Sequence, residues 1–285
     1  MEIKSLSKTD FDTLYKAFSL AFADYDFPIN NVQLSAMLKR RGYNGGLSFA
    51  MFDGKEIVSF ILNGIGNFNG IPTAYDTGTG TLPEYRGKGL VTKIFEYSLP
   101  YLGEMKIEQY LLEVLQHNTK AVSVYRNIGF VTIRELNYYT QKNEDINNQI
   151  KTQNISIKHL IKAIDIEKHD FIPGFWDFYP SWQNSNESIR RAAGGFICLG
   201  AFAGDKLLGY CVFEPASGDL TQIAVDKQNR RKGIGSLLLG EIIKLNRTDS
   251  VRIVNTDTSC ESINGFLKAK NIDADGKQFE MIKKL

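Results

Sequence analysis

A mixed α/β sheet fold, built twice in tandem, is what this 285-residue chain leads one to expect, and three observations support it. One short pattern occurs twice: Pro83-Glu84-Tyr85-Arg86-Gly87-Lys88-Gly89-Leu90 returns as Asn229-Arg230-Arg231-Lys232-Gly233-Ile234-Gly235. Arg86 and Arg230 lie 144 positions apart, about one domain length, and the chain is long enough for two cores. Each half opens with strands joined by tight turns and ends in strand–helix alternation, which predicts a mixed sheet covered by helices. Between the halves, residues 142–153 are polar and Asn-rich, the composition of a linker. The predicted domains are therefore 1–141 and 154–285.

The elements follow in order. Residues 3–6 read as a short strand. Thr9-Asp10 can cap a helix whose Phe11, Leu14, Phe18 and Phe22 share one face. A second short helix is expected over 32–38. Strands at 47–52 and 56–62 flank Asp53-Gly54, a strong hairpin signal. Asn69-Gly70 marks the next turn, before a strand over 73–82. A helix from 89 to about 102 follows, then a strand over 109–115. The helix over 120–127 can end at Gly129 in a left-handed cap, and a strand over 130–139 closes the unit. The second half repeats the order. A strand over 155–157 precedes an aromatic-rich helical region. Strands over 196–202 and 207–213 surround Gly204-Asp205, and a strand over 220–225 leads to a helix over 233–245. A strand over 251–254, a helix over 261–270 and a final strand over 279–282 complete it.

Bulk properties narrow the function classes. A net charge of +2 gives no reason to expect nucleic acid or a membrane surface as partner. No apolar run approaches the roughly 18 residues of a membrane span. Met1-Glu2-Ile3-Lys4 carries no signal-peptide core, so a cytoplasmic location is expected. Cys198, Cys211 and Cys260 have no paired spacing and read as packed, reduced thiols. His117, His159 and His169 lack metal-ligand spacing, so no metal is expected.

The repeated turn has a chemical reading of its own. A strand that ends in Arg-x-x-Gly and enters a helix presents first-turn amides that have no internal partner. The helix dipole adds partial positive charge at the same place, and glycines allow close approach. This is a cradle for a pyrophosphate. The P-loop and the dinucleotide fingerprint both fail on spacing: position 82 is Leu, and Pro83 stands where the third glycine after Gly78 and Gly80 is required.

These residues resemble motif A of the GNAT acetyltransferase superfamily, Arg/Gln-x-x-Gly-x-Gly/Ala, in Arg230–Gly235 and in Arg86–Val91, where Val91 stands at the usual Gly or Ala and could crowd the ligand. Residues 118–130 resemble its motif B, with Asn118, Ala121, Tyr125, Gly129 and Phe130 at the matching places. The resemblance covers nearly the whole chain as two tandem acyl-CoA N-acyltransferase domains. It implies acetyl-CoA as acyl donor and a small-molecule or peptide amine as acceptor. In the first half it implies that Thr79, Gly80 and Thr81 pair with the pantetheine arm. Arg86, Gly87, Lys88, Gly89, Leu90, Val91 and Thr92 would hold the pyrophosphate, and Asn118 would touch the cofactor. Tyr125 would protonate the leaving thiolate, a task that suits a phenol. Asp76 and Glu113 are candidates for taking the amine's proton, directly or through a water, and the alternative for each is a surface or hydrogen-bonded structural carboxylate. In the second half the counterparts are Val225, Arg230, Arg231, Lys232, Gly233, Ile234, Gly235 and Ser236.

The second copy departs from the pattern. Leu267 stands at the place of Tyr125, Cys260 at that of Asn118 and Asn271 at that of Gly129. Leu267 cannot donate a proton, so the first half is expected to be catalytic. The aromatic stretch 171–184 is either a wall of an acceptor site or packing. A coenzyme A-binding sensor without turnover, and a transferase of another acyl group, are the alternatives to acetyl transfer.

Overall fold

A computed structural model describes residues 1–24, 29–148, 160–166 and 173–285. It divides into two compact units, Met1–Ile133 with Phe279–Leu285, and Arg134–Gln278. The predicted strand at 155–157 and residues 149–153 of the predicted linker lie outside the described residues.

In the first unit the strands run β1 (Glu2–Ser5), β2 (Phe49–Asp53), β3 (Glu56–Phe68), β4 (Ile71–Thr81) and β5 (Gln109–Leu115). The first four pair antiparallel in sequence order, and β5 joins β4 in parallel. Strand alternation sends Phe60 and Leu62 to one face and Phe49 and Ile61 to the other. Helices α1 (Phe11–Ala21) and α2 (Asn31–Arg41) cover the first face through Leu14, Phe18, Leu34 and Leu38. Helices α3 (Leu90–Glu104) and α4 (Thr119–Asn127) cover the second through Leu90, Ile94, Phe95 and Val122. Asp10 caps α1 by accepting from Thr13 N–H at 2.8 Å. Asn30 and Gln33 form a reciprocal capping box on α2.

The second unit repeats this order with β7 (Leu160–Ile164), β8 (Ile197–Ala203), β9 (Lys206–Glu214), β10 (Asp219–Val225) and β11 (Ser250–Asp257). Its helices are α5 (Asn186–Arg191), α6 (Ile234–Leu245) and α7 (Glu261–Lys268). Leu238, Leu239, Ile242 and Leu267 pack on one face of its sheet, and Phe175 and Ile189 on the other.

The sixth strand of each unit corrects the sequence reading. The strand after Phe130, β6 (Val131–Lys142), does not close the first unit. From Leu136 to Lys142 it pairs antiparallel with β11 of the second, and Tyr139 lies in that core. The last strand, β12 (Gly276–Lys284), supplies residues from Phe279 onward to the first unit, next to β5. There Met281 is buried in the core with Phe130, and Leu285 N–H donates to Glu108 O. The two halves of the sequence exchange their closing strands. The described part of the predicted linker is also ordered: Ile146 is buried, Asn143 N–H donates to Asp249 O and Asn147 N–H to Lys270 O.

Candidate active site

The site in the first unit begins with a bulge. Leu62 pairs with Gly78 but Asn63 pairs with Asp76, so Thr77 is an extra residue in β4. Such a bulge bends its strand and re-aims the neighbouring side chains. On the other edge, β4 pairs with β5 from Thr73 to Tyr75 opposite Gln109 to Leu111. Past that point β4 runs to Thr81 and β5 to Leu115 without pairing, and a wedge opens between them.

Backbone alternation decides which groups line the wedge. Leu82 N–H donates to Val58 O, so Gly80 and Leu82 turn their backbone toward β3, and Thr79 and Thr81 toward the opening. Thr81 O already accepts from Arg86 Nε at 3.2 Å. Of the three residues expected to meet the cofactor arm, Thr79 is placed best and Gly80 faces away. Gly80 serves packing instead: a Cβ there would stand 2.5 Å from the Phe60 ring and 2.9 Å from Ala21 Cβ.

Three of the expected residues meet at the mouth of the wedge. Tyr125, on α4, donates its hydroxyl to Asp76 Oδ2 at 3.0 Å. Asp76 Oδ2 also accepts from Thr79 Oγ1 at 2.7 Å, and Oδ1 from Gly78 N–H at 2.9 Å. Burial pushes the Asp76 carboxyl above its ordinary range, against the hydrogen bonds of Thr79, Tyr125 and Gly78 that pull it down. The Tyr125 ring stands edge-on to Phe130 at 5.7 Å, which fixes its direction. Glu113 is placed differently, accepting from the Tyr75 hydroxyl. Burial first, and then the Glu113 charge, push the Tyr75 phenol well above its ordinary range. Tyr110, also fully buried, donates to Asn63. Asn118 caps α4 by accepting from Ala121 N–H at 3.2 Å.

The glycine-rich turn leads from β4 into α3. Gly87 and Gly89 adopt φ of 75° and 68°, and a Cβ on either would meet nothing within 4 Å. Gly89 is the α3 N-cap and offers no side chain to the first-turn amides, which face outward with no intrahelical acceptor. Val91 is half-buried against the core and does not crowd the turn. The arginine differs from expectation. Arg86 points back into the fold, its guanidinium donating to Ala21 O at 3.0 Å and Asp24 at 2.7 Å. Lys88 stands 4.7 Å over the Tyr85 ring.

The second unit reproduces this frame closely. Arg231 and Gly233 take φ of 62° and 89° where Gly87 and Gly89 stand. Arg230 donates to Val225 O, to Phe175 O and to Asp177, as Arg86 does to Thr81, Ala21 and Asp24. Lys232 turns back to Gln228 O and Asn229. Gly235 lies on α6 against Phe266, where a Cβ would sit 3.2 Å from the ring. The polar pair is not repeated, however. On the turn's register Asp76 corresponds to Leu220, and Leu220 and Leu267 are both buried in one apolar core. The places of the hydrogen-bonded Asp–Tyr pair of the first unit are held by two buried leucines in the second.

A model of the acetyltransferase (GNAT) family matches residues 11–130 and 161–261. The chain belongs to this family. An N-alpha-acetyltransferase from Sulfurisphaera tokodaii is 26% identical over 155 residues, covering 50% of this chain and 87% of the relative. A tandem GNAT protein from the clavulanic acid biosynthesis pathway superposes with a TM-score of 0.71 at 12% identity, over 99% of this chain and 98% of the other. A GCN5-related N-acetyltransferase from Sphaerobacter thermophilus gives 0.66 at 13% identity, over 99% and 95%. At such identities the structures share the fold. As a GNAT acetyltransferase the chain is an enzyme of acyl transfer, a family that generally uses acyl-CoA and an amine acceptor. No helix among the described residues is long and apolar enough to cross a membrane.

Sequence reasoning missed several residues. Arg41 donates to Thr77 O at 2.9 Å and so holds the bulge. Tyr75, Tyr110 and Asn63 form the polar floor beside Asp76 and Glu113. Tyr75 and Tyr110 lie in largely buried stretches of strand, where a tyrosine looks like any core aromatic.

Proposed function

We propose that the first unit transfers the acetyl group of acetyl-CoA to a primary amine, with Tyr125 and Asp76 moving the protons. The observation that carries this reading is the 3.0 Å hydrogen bond between Tyr125 and Asp76 where β4 and β5 part. The residues present fit the donor. The open edge of Thr79 suits an amide-bearing arm, and the α3 amides behind Gly89 suit a pyrophosphate. Gln116 Nε2, just past the end of β5, is buried with no acceptor among the described residues and is a donor awaiting one. Acetyl-CoA supplies an acetyl group activated as a thioester, so a proton must leave the amine nitrogen and another must reach sulfur.

This chain's residues can carry both. Tyr125 donates its hydroxyl proton to an ionised Asp76 Oδ2, and turning that O–H toward the thiolate would deliver the proton to sulfur. A carboxyl raised by burial holds a proton more readily near neutral pH than an exposed one. Asp76 can therefore take up the proton that the amine loses and refill the phenol, so the pair ends the cycle as it began. Glu113, engaged by Tyr75, supports the floor of the site. The likeness to an N-alpha-acetyltransferase favours a peptide N-terminus among the amines.

The test is release of free thiol from acetyl-CoA, followed colorimetrically, with an unblocked peptide, free lysine and an aliphatic polyamine each offered as acceptor. Thiol release that depends on one amine and falls in Tyr125→Phe supports the reading. Amine-dependent release that Tyr125→Phe leaves unchanged removes Tyr125 from the chemistry. A chain that binds acetyl-CoA yet releases thiol with none of these amines would favour the sensor alternative.

A further inference from the structure

One segment of the second unit spans the opening of its own wedge. Residues 175–184 run from its glycine-rich turn to the far wall of its own wedge. β10 and β11 pair in parallel at Asp219 and Arg252 and then part, as β4 and β5 do. On the turn side, Phe175 O accepts from Arg230 at 3.0 Å, and Asp177 bonds Arg230 at 2.7 Å with Lys227 at 3.7 Å. On the opposite wall, Asp177 accepts from Ser262 in the first turn of α7. Further along, Ser181 accepts from Asn255 of β11 at 3.0 Å. Asn184 then joins both strands. Its side chain donates to Val254 O of β11 at 2.8 Å, and its carbonyl accepts from Gln222 of β10 at 2.6 Å. Ser181, Trp182 and Asn184 are all buried.

We propose that this segment is a built-in strap that closes the second unit to acyl-CoA, so that the chain takes one acyl-CoA, in the first unit. The inference rests on the acetyl-CoA reading given above. Two physical arguments carry it. Asn184 joins β10 and β11 through Gln222 and Val254 O, across the opening where an extended amide-bearing arm would enter between the two strands. Asp177 binds Arg230 as Asp24 binds Arg86, but it also accepts from Ser262 of α7, so its carboxylate bridges the basic turn and the α7 N-terminus across the place where an anionic ligand would lie. Burial would raise Asp177, but the hydrogen bonds from Ser262 and Arg230 and the charges of Arg230 and Lys227 bring it below its ordinary range, so it is ionised at neutral pH. The strap thus occupies the second unit's groove with the chain's own anion and amides.

Amide hydrogen exchange by mass spectrometry on the full chain, with and without acetyl-CoA, tests this, together with binding stoichiometry by calorimetry. Slowed exchange over residues 87–93, unchanged exchange over 231–237, and one equivalent bound are expected. Slowed exchange over 231–237 as well, or two equivalents, would overturn the strap and leave the acetyl-CoA reading standing. Protection in neither stretch would instead overturn that reading, and with it the need for a strap. The double variant Asp177→Ala, Asn184→Ala is expected to gain ligand-dependent protection over 231–237. A folded double variant that gains none would show that the strap is not what excludes the ligand.

Discussion

Tyr125 and Asp76 are a pair made by two distant stretches of sequence, one on a helix and one at a strand bulge. Removing the hydroxyl alone, in Tyr125→Phe, keeps the ring against Phe130 and takes away the proton. Turnover is expected to fall about 100-fold, with binding of acetyl-CoA by calorimetry little changed. Asp76 makes a second prediction through stability. Its carboxyl is raised above the ordinary value of 3.8, so the folded chain holds this proton more tightly than the unfolded chain does. The stabilisation from this site is therefore fullest below 3.8 and is lost as pH rises through the raised value. Asp76→Asn has no proton to lose there. In urea unfolding, the parent is expected to lose stability relative to the variant as pH rises above 3.8, and a gap that does not change with pH would contradict the burial of this charge. The lone residue that most misled the sequence reading is the turn arginine. A basic side chain beside a phosphate cradle looks like a ligand for phosphate, yet Arg86 and Arg230 each turn inward and tie the turn to the segment before it.

At the scale of elements, the β3–β4 hairpin and α1 have to fit closely for the wedge to open where it does. Gly80 is the closest point of approach, and its lack of a side chain is a steric need rather than a functional one. Gly80→Ala is expected to cost about 1–3 kcal/mol of stability by urea titration, because Phe60 and Ala21 must both move. An unchanged midpoint would mean that α1 shifts freely. The turn and the α3 N-terminus are legible in the sequence itself, since two glycines at fixed spacing ahead of an apolar helix have few other uses. The bulge at Thr77 is not. Nothing in Tyr75-Asp76-Thr77-Gly78 marks the extra residue, because the bulge depends on the register of a partner strand and on Arg41 from α2.

For the whole molecule, the two halves trade closing strands. Met281 is buried with Phe130 in the first unit, and Tyr139 with Ile253 in the second. Truncation before Gly276 is therefore expected to loosen the first unit, although the missing residues come at the end of the second half of the sequence. Hydrogen exchange should accelerate in β5 and leave β9 slow. Acceleration in β9 with β5 unchanged would contradict the exchange of strands.

Element order, the two cores and the repeated turn all follow from local information. Hydrophobic periodicity, turn residues and the Leu267 that replaces a tyrosine can each be read within a few positions. Tertiary structure alone decided three things: which core each closing strand enters, where β4 bulges, and what fills the second wedge. The physical reason is the same in each case. A half-buried strand offers the same alternating face to either sheet, so its partner is chosen by pairing and packing across more than a hundred residues rather than by its own sequence. Likewise Asp177 and Asn184 look like ordinary loop residues until the fold brings Arg230, Ser262 and Val254 within hydrogen-bonding reach.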